Sequence, residues 1–95
     1  MFESAVQRGI ARFNQHFGKI QWVEYINIDA IDMASSSRCV LGQLFGDYWI
    51  GIGELASMSN DSHYGFIVPG DVDPWARGAA WEELTLEWQA ALRAQ

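Results

Sequence analysis

Ninety-five residues, 49% of them hydrophobic and five of them tryptophan, suffice for one domain with a single core over 1–95 and exclude a disordered chain. One cysteine excludes an internal disulfide framework, and no apolar run approaches the ~18 to 20 residues of a membrane span, so no membrane association is expected. A formal net charge of −6 sets the chain against phosphate backbones, and no direct nucleic-acid binding is expected.

Phe2, Val6, Ile10, Phe13 and Phe17 recur every three or four residues, which predicts a helix from about Glu3 to Phe17 that Gly18 stops. Arg8 and Arg12 fall one turn apart on another face of it and are expected to stay solvated. His16, near the helix end, is favoured there by the dipole when protonated. Between Lys19 and Ala34 the pattern mixes alternation with helical spacing. It reads as one short turn through Trp22 and Tyr25, then an extended connector near 26–28 with Ile28, Ile31 and Met33 turned inward. Asn27, Asp29 and Asp32 invite comparison with a calcium loop, but the glycine and distal glutamate of an EF-hand are missing, so turn formation explains them without a metal.

The centre of the chain is the run from Ser35 to Gly51. Serine side chains can accept hydrogen bonds from the first turn of a helix, which predicts one from about Ser37 to Tyr48 or Trp49. Val40, Leu41, Leu44, Phe45 and Tyr48 would form its apolar face, with Leu44 in the core. Gly42 and Gly46 would form a bare second face meeting either the terminal helix or the same helix of a second subunit, which makes a homodimer one expectation. Gln43, flanked by glycine, is expected to pin a neighbouring backbone, with Asp47 one turn away.

Gly51-Ile52-Gly53 interrupts the periodicity, one further turn follows over 54–58, and 57–62 reads as a polar loop. The aromatic and β-branched run at 64–68 suggests a short strand ended by Pro69-Gly70. Asp73-Pro74 opens a helix, and Trp81, Leu84, Thr85, Trp88, Ala91 and Leu92 keep its apolar period through about 79–93. The expected fold is mainly α, or α+β with minimal β: a three-helix domain with short extended segments.

The run Arg38-Cys39-Val40-Leu41-Gly42-Gln43-Leu44-Phe45-Gly46-Asp47-Tyr48, then Tyr64-Gly65-Phe66, then Trp81-Glu82-Glu83-Leu84-Thr85-Leu86-Glu87-Trp88, resembles small uncharacterised proteins of actinobacteria and their phages that share a CVLGQLxGxY core. The likeness covers roughly residue 20 to the end. It implies a phage or prophage origin and brings no catalytic residues. The lone cysteine and an N-terminus without a signal-peptide core make a reducing cytoplasm the expected location, the host's if the chain is phage-encoded.

Cys39 is the strongest chemical candidate, because the first turn of a helix and the adjacent Arg38 both lower a thiol pKa. A nucleophile also needs a base, however, and neither His16 nor His63 is tied to it by spacing. Cysteine in an apolar helix is ordinarily a packing residue. One cysteine and two scattered histidines match no zinc pattern, so no metal, cofactor or catalytic residue is expected. The charge is uneven: residues 1–23 carry a net +2, residues 24–76 a net −7, and residues 77–95 a net −1. Such an acidic middle attracts a basic protein surface. The expected function is a non-enzymatic binding module, plausible as a phage or prophage factor, that binds or inhibits a host protein, a nucleic-acid-binding one among the candidates, with contacts from Asp47, Trp49, Glu54, Asp61, Asp71, Asp73 and Trp75. The alternatives are a small enzyme using Cys39 and a structural or assembly protein.

Overall fold

The computed structural model describes residues 2–55 and 60–95 and is mainly α. Four α-helices, α1 (Glu3–Phe17), α2 (Val40–Phe45), α3 (Tyr48–Leu55) and α4 (Arg77–Arg93), are joined by short 3-10 turns at Trp22–Tyr25, Ile28–Ala30, Ser62–Tyr64 and Pro74–Ala76. No helix among the described residues is long and apolar enough to cross a membrane.

The two long helices follow their apolar spacing. Phe2, Val6, Ile10 and Phe13 are buried along α1, and Ala80, Leu84, Trp88 and Leu92 along α4. Gly18 ends α1 by adopting positive φ and donating its N–H to the Asn14 carbonyl at 2.9 Å. The two faces meet at an aromatic cluster: the Phe13 ring lies 4.6 Å from Trp22, 5.5 Å from Phe66 and 5.9 Å from Trp88. The Trp88 indole reaches through it to donate to the Gly65 carbonyl at 2.7 Å.

The connector from 22 to 34 is sewn onto α4 by a polar stripe that apolar periodicity hides. Thr85, Gln89 and Arg93 stand four residues apart on α4. Thr85 Oγ1 accepts from the Met33 N–H, Gln89 donates to the Ile28 carbonyl, and Arg93 pairs with Asp29. Ile31 and Met33 are buried as expected, whereas Ile28 is only half-buried because 28–30 forms a second turn instead of extended chain.

The central helix differs from expectation: it is two helices. Gly46 turns into the left-handed region at φ 91° and donates its N–H to the Gly42 carbonyl at 2.8 Å, which closes α2. Asp47 then accepts from the Trp49 N–H at 2.8 Å and starts α3. The cap at the front is Cys39, whose Sγ accepts from the Gly42 N–H at 3.3 Å, and none of the serines takes that place. The two glycines therefore do not form one bare face: Gly42 is covered by the Ser36–Ser37 backbone rather than by the terminal helix, and Gly46 is open. A Cβ on Gly42 would meet the Ser36 carbonyl oxygen of its own chain at 2.4 Å, while one on Gly46 would meet nothing within 4 Å. Leu44 is half-buried at the edge of the core, and the fully enclosed leucine of α2 is Leu41.

The strand expected at 64–68 is absent, and no strand occurs among the described residues. Its backbone bonds go elsewhere: the Phe66 N–H to the Asp61 carbonyl, and the Gly65 carbonyl to the Trp88 indole. Phe66 and Val68 still enter the core. Most of the turn expected at 54–58, and the first part of the loop at 57–62, lie outside the described residues.

Candidate functional site

The break at Gly46 decides what α3 shows to solvent. Its inner side carries Tyr48, Gly51, Ile52 and Leu55, all buried. Its outer side carries Trp49 and Ile50, each 58% exposed, with Gly53 and Glu54 one turn on. The helix is thus apolar on both sides, although among the described residues only one side is packed against the fold.

Of the seven residues chosen from sequence, Asp47, Trp49 and Glu54 lie on or beside α3, and Asp47 is tied to Trp49 through its cap bond. Asp71, Asp73 and Trp75 lie in and before the Pro74–Ala76 turn, all exposed, with Trp75 at 86%. That turn packs on α4, and α3 packs on α2 and α1, so the two tryptophans ride on separate elements. Asp61 does not belong to the surface: it is 6% exposed and accepts from the Tyr48 hydroxyl at 2.6 Å and the Ser62 N–H at 2.8 Å. Ile50 was missed, and the signal for it was the sequence of α3 itself, whose apolar residues outnumber the positions one buried face can hold.

The Tyr48–Asp61 pair fastens α3 to the Ser62–Tyr64 turn. Burial first, then the hydrogen bond and the charge of Asp61, raise the Tyr48 pKa above its ordinary value. A group whose pKa is raised on folding stabilises the fold below its unfolded pKa, near ~10 for tyrosine, and that contribution is lost as pH climbs further. Tyr48→Phe should therefore cost about 1.5 to 3 kcal/mol near neutral pH, since a buried carboxylate loses a donor. It should also flatten the fall in stability above about pH 10, which urea midpoints on the two sides of that value will read.

Cys39 is 1% exposed. Its thiol lies 3.8 Å from the Ser36 carbonyl, and burial pushes its pKa up despite the N–H groups of Gly42 and Leu41 that pull it down. This is the reverse of the environment an activated thiol needs. Gln43 is the pin expected of it: its side chain accepts from the Asn27 N–H at 2.7 Å and donates to the Asn27 and Arg38 carbonyls. Its hydrogen bonds do not involve Asp47, which caps α3 instead. Asp29 and Asp32 serve Arg93 and Arg38 as ion-pair partners. Trp22 is buried, with its indole donating to Asn14 Oδ1 at 2.8 Å. Trp81 is half-buried beside Ile31 and Thr85 in a shallow groove.

No protein-family model, curated protein or solved structure matches the chain.

Proposed function

We propose that this chain is a non-enzymatic module that docks on a basic surface of another protein through the outer side of α3 and the acidic turn before α4. The observation that carries the reading is α3: a tryptophan and an isoleucine stand side by side in solvent, beside Gly53 and with carboxylates at Asp47 and Glu54. Aromatic anchors of this kind supply most of the affinity in protein interfaces once a partner covers them. Trp75, which follows Asp71 and Asp73, has the same composition on a separate element. The net −7 of residues 24–76 favours a basic partner. The resemblance to small actinobacterial and actinobacteriophage proteins makes the expected partner a host protein and the expected effect its inhibition. The inward-facing thiol of Cys39 supports the non-enzymatic part of the reading.

Kinetics on a captured partner test it. Charge reversal at Asp71 and Asp73 should slow association and flatten its dependence on salt, because the steering field weakens. Trp49→Ala or Trp75→Ala should instead speed dissociation, by about thirtyfold if the residue is a hot spot worth ~2 kcal/mol. Rates unchanged in all these variants would rule out this surface.

A further inference from the structure

We propose that the outer face of α1 and the Ser62–Tyr64 turn form a binding site for a phosphate monoester, held between Arg8 and Arg12. The site is separate from the docking surface on α3 and does not depend on it. The two arginines stand one turn apart, where like charges repel and destabilise a helix unless something offsets them. Among the described residues, Arg38 and Arg93 pair with the carboxylates of Asp32 and Asp29, and Arg77, alone on its segment, meets the Pro69 carbonyl. Arg8 and Arg12 instead aim their Nε–H groups at backbone carbonyls, those of His63 and Leu55, each at 2.7 Å.

These two bonds fix the guanidinium planes, yet each consumes only one of the five N–H donors a guanidinium carries. Arg12 spends one more on Gln15 Oε1 at a long 3.4 Å. Both side chains line a concavity of about 310 Å³ with Gln15, His63 and Tyr64. Two guanidiniums, each held by its Nε bond and both lining one hollow, suit a group with several charged oxygens at tetrahedral angles. A phosphate monoester can accept from both forks at once and offset both charges, whereas one carboxylate can offset only one. Free phosphate, a phosphorylated side chain and a mononucleotide share this chemistry.

Titration of inorganic phosphate, phosphoserine and a nucleoside monophosphate into the isotope-labelled full chain tests the site, with acetate as the control anion. The arginine Nε–Hε and His63 resonances report on it. Saturable shifts confined to Arg8, Arg12, Gln15 and His63 at low-millimolar phosphate are expected, and the order of the three phosphates identifies the source. Arg12→Ala would also release the Leu55 carbonyl, so Gln15→Glu is the decisive variant. It sets a carboxylate against Arg12 on an exposed helical position, keeps both Nε bonds, and should weaken phosphate about tenfold. Shifts that do not saturate, that spread to Arg38, Arg77 and Arg93, or that persist undiminished in Gln15→Glu would overturn the site. Acetate binding as tightly as phosphate would overturn its assignment to a phosphate.

Discussion

Replacing Trp88 by alanine should lower the unfolding free energy by about 3 to 5 kcal/mol, the largest loss expected of any single substitution in this chain. Trp88 is fully buried, its ring packs on Phe13 and Phe66, and its indole donates to the Gly65 carbonyl inside the core. Truncation therefore opens a cavity and strands a carbonyl together. Trp88→Phe separates the two effects, since it keeps most of the ring and removes only the donor, and should cost about 1 to 3 kcal/mol. A domain of this size has roughly 5 to 15 kcal/mol to lose, so both variants belong in urea titrations at low temperature. A loss below about 1 kcal/mol for Trp88→Ala would mean that the centre of the core lies elsewhere.

Gly9→Ala should destabilise by about 1 to 3 kcal/mol or more, the reverse of what helix propensity alone predicts. A Cβ there would lie 2.3 Å from the Tyr64 carbonyl oxygen and 2.8 Å from the Trp88 ring, so α1 could accept it only by moving away from two other elements at once. Gly53 is the internal control. It is also helical, but a Cβ there meets nothing within 4 Å, and Gly53→Ala should gain about 0.5 to 1 kcal/mol. Thermal or urea midpoints that move the same way for both would contradict the close packing at Gly9.

The long helices were legible because fifteen and seventeen residues of consistent apolar spacing leave a helix few rivals. The centre was not. Gly46 is compatible with a weak helix interior and with a left-handed cap. Only the tertiary arrangement, in which the Tyr48 N–H reaches the Ser36 carbonyl at 2.8 Å, decides between them. Composition likewise suggested a strand at 64–68, but a strand needs a backbone ladder, and here an indole and a local turn take the bonds. In the candidate surface, the exposure of Trp49 and Trp75 was legible because neither falls on the apolar spacing of a predicted helix. Asp61 was misread as surface because its burial depends on meeting Tyr48, thirteen residues earlier in the chain. The spacing of Arg8 and Arg12 was visible, but not the Leu55 and His63 carbonyls that hold them, since those lie 43 and 55 residues away.

The proposal that this chain works by binding another protein is tested most directly by quantitative capture from the lysate of an actinobacterium, the host proposed above, comparing the native chain with a Trp49→Ala, Trp75→Ala double variant. Both positions are exposed, so unchanged helical content and melting can be verified first. The account predicts at least one basic protein that the native chain retains, that is released by raised salt, and that the double variant fails to hold. Identical retained sets for the two chains would contradict it.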